Sequence, residues 1–411
     1  MENKFIVERR NKFKELLNEG DLTILFAGKA PRKSNDENYE YTPNRNFYYL
    51  SNVNEEDDIY VSYKSKFGLN EMMFIHRYNE HEAKWIGEKY SLEKVRELSG
   101  IQNIYYLDEF EKIIASYINN AKRINLDLER QNMEECYTSS QIFANKIKEK
   151  YPSVVINNIY DIIASLRMVK DEIEIAKIKN AIEITNKGIL KMMQNSDVTY
   201  EYQLEAYFDF VIKQEGASDF AFKTIAASGI NATVLHYSQN NTKVNKNDLI
   251  LFDLGAEYQY YKSDITRTFP LSGKFSDRQK LIYNIVLEGQ KEVMKNIKPG
   301  ITTRELNQIL IDFYAIELKK IGLIKEKEEV GKYYFHGVSH HLGLDTHDAC
   351  IYGKPLEVGN IITVEPGLYI AKEGIGIRIE DDVLITESGY ENLSSQIIKT
   401  VEDIENFMAG K

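Results

Sequence analysis

Cysteine is almost missing from this chain of 411 residues; Cys136 and Cys350 are the only two. A disulfide framework is therefore excluded, and both side chains are expected to be reduced thiols. Positive charge is also short. Lysine and arginine total 52 against 63 acidic residues, a net charge of −11, whereas binding to nucleic acid or an anionic membrane needs clustered positive charge. No stretch reaches the roughly 18 uncharged apolar residues of a membrane helix. The opening MENKFIVERRNKFKELL is charged throughout and has no apolar h-region, so no secretory signal is visible. Repeats and low-complexity tracts are lacking as well. These absences lead us to expect a soluble, cytoplasmic protein with no nucleic-acid or membrane partner.

The composition that remains is ordinary for a globular protein. Hydrophobic residues make up 43% and charged residues 28%, which excludes disordered and fibrous classes. At roughly 100–200 residues per domain the length suggests two or three domains. Residues 1–160 alternate helix-like and strand-like signals and read as one α/β domain. Phe5 to Leu17 has helical apolar spacing, Gly20-Asp21 stops it, and a strand-like LTILFA follows. An aromatic strand is expected at Phe47 to Leu50, with further short strands at 59–63, 72–75 and 123–128. The boundary falls between Tyr160 and Lys170, which gives a second domain over 161–411. That domain opens on a helix from Asp171 to Leu190 with acids at its start, where the helix dipole favours them. Asp248 to Thr268 is rich in strands, and Phe275–Ile297 and Thr303–Lys320 read as two more helices.

Histidine supplies the first chemical clue. Four of the seven lie in HGVSHHLGLDTHD: His336, His340, His341 and His347. Such a cluster is either a polar surface loop or a metal or catalytic site, imidazole being the commonest metal ligand and the usual proton shuttle. His336 and His340 have the spacing of a helical zinc pair, but Gly337 and Gly343 argue for a bent strand or loop. The H-E-x-x-H signature of zinc proteases is also absent.

Carboxylates supply the second. In LILFDLGAEYQYYKSDITRTF two strand-like runs flank a turn centred between Tyr258 and Gln259. Asp253 and Asp264 would then face each other across a hairpin, with Cβ atoms roughly 4.5–5.5 Å apart. Tyr-Gln makes a poor two-residue turn, so a loop of four residues or a bulge is expected. IITVEPGLYIAKEGIGIRIEDDVLI repeats the pattern, with Glu365 facing Glu380 about a turn between Lys372 and Glu373. Acids in two hydrophobic strands are rarely decorative, with ordinary strand-end surface charge as the alternative for Asp381 and Asp382. Four buried carboxylates with an imidazole and no cysteine make a hard, oxygen-dominated site that suits Mn²⁺, Mg²⁺ or Co²⁺. Charge balance calls for two divalent ions, and paired ions can activate water and polarise a carbonyl. The pattern is that of a dinuclear metallohydrolase, and no substrate follows from it.

FDLGAEYQYYKSDITRTF, HGVSHHLGLDTHD, VEPGLY and IRIEDD occur in an order that resembles the "pita-bread" metallopeptidases, the family of methionine aminopeptidase, prolidase and aminopeptidase P. RRNKF, LFAGK, SNDENYEYTPNRNFYYLSN and KWIG are similar to the amino-terminal domain of aminopeptidase P. The resemblance implies an N-terminal α/β domain followed by a pita-bread catalytic domain. It puts the metal ligands at Asp253, Asp264, His340, Glu365 and Glu380, with Glu365 also shuttling protons. It aligns His236, His336 and His347 with substrate-site histidines, the last two also in catalytic roles, and puts Tyr369 nearby. Arg378, counted among the catalytic residues, points to the same face as Glu380, where it either orients a ligand carboxylate or ties down a neighbouring segment; the resemblance implies the second and pairs it with Asp36. Trp85, the only tryptophan, matches a family position, although a half-buried packing role would equally account for it. The activity implied is release of an N-terminal residue from peptides with proline second, by a homodimer or homotetramer holding two Mn²⁺ ions. Cleavage of X–Pro dipeptides, as by prolidase, is the alternative, and a non-catalytic binding protein of the same fold is a more remote one.

Overall fold

The structure is a computed structural model that describes residues 2–410. The chain divides into two compact units, one ending at Arg167 and the other beginning at Met168.

The first unit contains α1 (Glu2–Leu16), β1 (Asp21–Phe26), α2 (Arg45–Ser51), β2 (Ile59–Ser65), β3 (Gly68–Ile75), α3 (Glu80–Ile86), α4 (Leu92–Ser99), β4 (Asn103–Tyr106), α5 (Phe110–Asn120), β5 (Arg123–Leu126), α6 (Ser139–Lys150) and β6 (Val155–Asn158). The helix α7 (Tyr160–Met168) spans the division. Its six strands form one mixed sheet in the order β4-β3-β2-β1-β5-β6. One face of the sheet buries Leu22, Ile24, Val61, Phe74 and Ile124 against Phe110, Ile114 and Ile118 of α5 and Ile147 of α6.

Two expectations fail in this unit. Phe47 to Leu50 is helical, not a strand. The Asn44 side chain accepts the Phe47 N–H at the start of α2, and Asn52 closes the end at φ 57. Phe47, Tyr48, Tyr49 and Leu50 are all buried. A short run that is apolar on every side has no period to separate helix from strand. Trp85 is 79% exposed rather than half-buried, on a helix that buries none of its residues.

The second unit opens with α8 (Glu172–Gln194), where Asp171 and Glu174 form a capping box. Next come α9 (Glu201–Gln214), β7 (Asp219–Phe220), β8 (Ile225–Ser228), β9 (Leu249–Leu254), β10 (Ala256–Tyr258), β11 (Tyr261–Lys262) and β12 (Ile265–Pro270). The helices α10 (Asp277–Lys295) and α11 (Thr303–Lys320) follow, each started by a capping box, Ser276 with Gln279 and Thr302 with Glu305. The chain ends with β13 (Ile361–Val364), β14 (Gly367–Ile370), β15 (Ile375–Arg378), β16 (Asp381–Thr386), β17 (Gly389–Asn392) and α12 (Val401–Ala409).

Two hairpins dominate this unit. In the first, β9 lies between β8 and β12, and its register is displaced by two residues from expectation: Asp253 faces Thr266. The cause is the turn. Gln259 and Tyr260 both take left-handed backbone angles, φ 50 and φ 69, and form a two-residue loop between the facing pair Tyr258 and Tyr261. That geometry usually recruits Asn-Gly, so these residues give no sequence signal for it. Gly255 breaks the strand before the turn, where a Cβ would lie 1.9 Å from the Ser263 carbonyl oxygen. In the second hairpin Val364 faces Asp381 and Gly367 faces Arg378. Both ladders share the expected register, and Glu365 and Glu380 sit at the break between them.

Candidate metal centre

The two hairpins bring their acids to one cavity of about 350 Å³, lined by Asp253, Asp264, Glu365 and Glu380 together with His236, His336, His340, His347 and Arg378. A displacement of two residues keeps a side chain on the same face of a strand. The altered register therefore leaves Asp253 and Asp264 on the cavity side. Asp264 and Glu380 are nearly inaccessible. Burial pushes the carboxyl pKa of both well up, and the neighbouring acids push them further, Asp253 and Asp382 at Asp264 and Asp264 and Glu365 at Glu380. Burial likewise raises Glu365, against the opposing pull of His340 and Arg378.

The histidines follow the bent path expected of a glycine-bearing segment. His340 Nδ1 lies 3.0 Å from the His341 carbonyl oxygen. A carbonyl only accepts, so Nδ1 carries the proton and Nε2 keeps its lone pair. Nε2 is 3.3 Å from Asp264 Oδ2 and 3.6 Å from Glu365 Oε1. The same logic fixes His336. Its Nδ1 donates to the Gly337 carbonyl at 2.7 Å, and Nε2 accepts from the Tyr369 hydroxyl at 2.9 Å. Burial and then the Arg378 charge hold its pKa down at about 4. His347 lies against His340 with ring centroids 4.1 Å apart and planes tilted by 47°, and burial and then His340 hold its pKa also at about 4.

Arg378 is buried, and its guanidinium donates to three groups: Asp253 Oδ2 at 2.6 Å, the Tyr369 hydroxyl at 3.0 Å and Thr266 Oγ1 at 3.1 Å. Tyr369 reaches the site through these bonds to Arg378 and His336.

Asp381 and Asp382 exclude the alternative of surface charges, since both are fully buried. Asp382 Oδ2 accepts the backbone N–H of Asp264 at 3.1 Å. Asp381 pairs with Arg267 at 2.7 Å and with Lys399. Sequence reasoning missed three supporting residues. Thr266 Oγ1 donates to Glu380 Oε2 at 2.6 Å, Arg267 Nη1 donates to the Glu380 carbonyl at 2.6 Å, and Lys399 also donates to Gln290. An arginine inside the apolar strand ITRTF was the available signal, because a buried charge needs a partner.

The donor set fits divalent metal. Donor atoms of Asp264, His340 and Glu380 all lie within 4.8 Å of one another. Asp253 Oδ1 is buried with no hydrogen-bond partner, and no sulfur lines the cavity.

Residues 176–387 match the metallopeptidase family M24, and residues 6–126 match the aminopeptidase P N-terminal domain. The chain belongs to metallopeptidase family M24. Its fold is accordingly an aminopeptidase P-type N-terminal domain followed by a pita-bread catalytic domain, and the family implies divalent metal. A Xaa-Pro aminopeptidase of Escherichia coli strain K12 is 32% identical over 98% of this chain and 97% of its own length. A solved chain from Bacillus anthracis superposes with a TM-score of 0.98 at 46% identity, covering 100% of this chain and 99% of its own. Zinc-substituted E. coli aminopeptidase P in complex with product gives a TM-score of 0.93 at 30% identity, with the same coverage. No described helix is long and apolar enough to cross a membrane.

Proposed function

We propose that this protein is a Xaa-Pro aminopeptidase, hydrolysing the bond between the first residue of a peptide and a proline at position two. The observation that carries the reading is the cavity itself. It gathers four carboxylates, four histidines and one arginine in a chain similar from end to end to a protein of that name. Asp253, Asp264, His340, Glu365 and Glu380 hold two divalent ions, with Mn²⁺ the expected pair for an oxygen-rich set. When bound, the ions supply water activation and carbonyl polarisation.

The chain's own residues do the rest. Glu365 takes a proton from the attacking water and returns one to the proline nitrogen as the C–N bond breaks, a role suited to a carboxylate at the wall of the cavity. His347, neutral because burial holds it near pKa 4, hydrogen-bonds the peptide around the scissile bond, and His336, neutral for the same reason, does so when its Nε2 exchanges the Tyr369 hydroxyl for a peptide donor. His236 and Tyr369 help to seat it, and Arg378 holds Asp253 and Tyr369 in place. Proline at the cleaved bond has no N–H and a fixed φ, so general peptidases fit it badly and a dedicated pocket is needed. We place the enzyme in the cytoplasm as a homodimer or homotetramer acting on small peptides, with no nucleic-acid or membrane partner.

Incubating the protein and Mn²⁺ with Ala-Pro-Ala and with Ala-Pro tests the assignment. Release of alanine from the tripeptide is expected. Cleavage of the dipeptide alone would make it a prolidase, and no cleavage at full metal occupancy would make it a binding protein of the same fold.

A further inference from the structure

Glu201 is wholly buried, and it is the first residue of α9. Its carboxylate accepts five hydrogen bonds, all from one segment of chain. Oε1 takes the Ser228 N–H at 2.8 Å, the Ser228 hydroxyl at 2.7 Å and the Asn231 amide at 3.0 Å. Oε2 takes the Tyr237 hydroxyl at 2.7 Å and the Thr242 N–H at 3.0 Å. The Glu201 N–H in turn donates to the Thr242 carbonyl. One carboxylate thus ties together the start, middle and end of residues 228–242.

That segment matters for the site. It leaves β8, where Ile225 faces Asp253, and it carries Leu235 and His236 to the cavity wall. Its other side lies directly on β15, where a Cβ at Gly376 would meet the Ala232 carbonyl oxygen at 2.0 Å. A buried carboxylate with this many donors is a rigid, charge-assisted anchor, and the helix N-terminus adds to its stability.

We propose that Glu201 is the positioning residue for His236, fixing the 228–242 segment so that the imidazole stays at the cavity wall. This rests on the reading of His236 as a substrate-site residue of an aminopeptidase. Glutamine cannot replace the glutamate. It offers one acceptor oxygen and turns its NH₂ toward a backbone N–H, of Ser228 or of Thr242, that can only donate.

The test compares wild type, Glu201→Gln, His236→Ala and the double variant on Ala-Pro-Ala, with kcat and KM measured separately. Metal content and amide exchange complete the set. Glu201→Gln should lower kcat/KM about tenfold, the size of one lost charged hydrogen bond. The loss should appear as a raised KM, because partial unfolding would lower apparent kcat alone. In the His236→Ala background the same substitution should change kcat/KM by less than about twofold. Metal content should hold, and exchange should quicken within 228–242. Wild-type kinetics in Glu201→Gln, or a full tenfold loss persisting without His236, would overturn the proposal. If Glu201→Gln does not fold, Tyr237→Phe removes one donor and should show the same non-additivity at smaller size; additive effects there also overturn it. If wild type cleaves no X–Pro peptide, the functional reading fails separately. Exchange in Tyr237→Phe then decides: faster exchange confined to 228–242 sustains the anchor, and unchanged exchange removes it.

Discussion

Glu380 and Asp381 are neighbours in the chain and both are buried, yet they face opposite situations. Glu380 looks into the cavity with Asp253, Asp264 and Glu365, and a single arginine, Arg378, sits among the four acids. Burial and the other acids drive its pKa well up. Asp381 looks the other way. Burial works to raise it too, but Arg267 and Lys399 outweigh that and hold it down at about 2. On one side the protein supplies a cation for nearly every charge, and on the other it leaves most of the negative charge for something else to balance. A buried carboxylate matched by protein cations is part of the scaffold. One left unmatched marks a site built for an external cation, because an unpaired buried charge is too costly to keep for packing alone.

The largest effects should come from the unmatched side. Asp264→Ala or His340→Ala should cut kcat by on the order of 10³-fold or more, a modest part of what enzymes contribute, while circular dichroism still reports a folded chain. Metal analysis should show lost occupancy, and a variant with full metal and normal turnover would show that the ligands are misassigned. Glu365→Gln should lower kcat by about 10²–10⁴-fold, the usual cost of losing a general acid–base. A glutamine variant with undiminished kcat would remove the proton-shuttle role.

On the matched side the damage should fall on stability. Arg267→Leu leaves Asp381 with Lys399 as its one cation beside the Asn392 amide, and breaking a buried pair by removing one partner costs roughly 3–5 kcal/mol. Urea unfolding followed by circular dichroism should show the drop. Removing both charges, as Arg267→Leu with Asp381→Leu, should recover only part of it, because Lys399 then loses its carboxylate and the Glu380, Ile397 and Ile398 carbonyls lose their donor. If the single variant is as stable as wild type, Asp381 is not paired as described and the contrast with Glu380 fails.

The sequence made the cavity side more legible than the scaffold behind it, and the reason is physical. Acids in apolar strands stand out, and hairpin symmetry relates them even when a turn is misjudged. Glu365 and Glu380 sit where the expected register puts them, at the break between the ladders of β13–β16 and β14–β15. The spacing pairs Asp253 and Asp264 two residues out of register, because nothing in Tyr-Gln-Tyr announces a turn with Gln259 and Tyr260 in the left-handed region. Side chains alternate with period two, so the error left both acids on the correct face. What stayed hidden depends on partners remote in the chain. Asp381 reads as a strand-end charge until Arg267, 114 residues away, is seen to meet it. Glu201 resembles any helix-start acid until residues 228–242 fold over it. The α2 helix does not show in the sequence because Phe47 to Leu50 is apolar all round and Asn44 and Asn52 do the capping.

Thr266 joins the two sides, and replacing it should give the smallest effect. Its hydroxyl donates to Glu380 Oε2 at 2.6 Å and accepts from Arg378 Nε at 3.1 Å. It is fully buried, so no water replaces it easily. Thr266 neither lines the cavity nor carries charge, and its hydroxyl holds one Glu380 carboxylate oxygen so that the other stays aimed into the cavity. Valine has the same shape and the same β-branched fit to a strand but no hydroxyl. Thr266→Val should therefore preserve the fold and the ligands while freeing Glu380 to rotate. Loss of such an outer partner typically weakens metal affinity by about 10–100-fold, so activity titrated against Mn²⁺ should shift to higher metal concentration and recover most of its kcat at saturation. Calorimetric titration of the metal-stripped protein measures the same shift without turnover. An unchanged affinity would mean that Glu380 is held by its backbone alone, through the N–H bonded to the Thr266 carbonyl at 3.1 Å. A kcat that stays low at saturating metal would instead place Thr266 in the chemistry, acting through Arg378 and Tyr369.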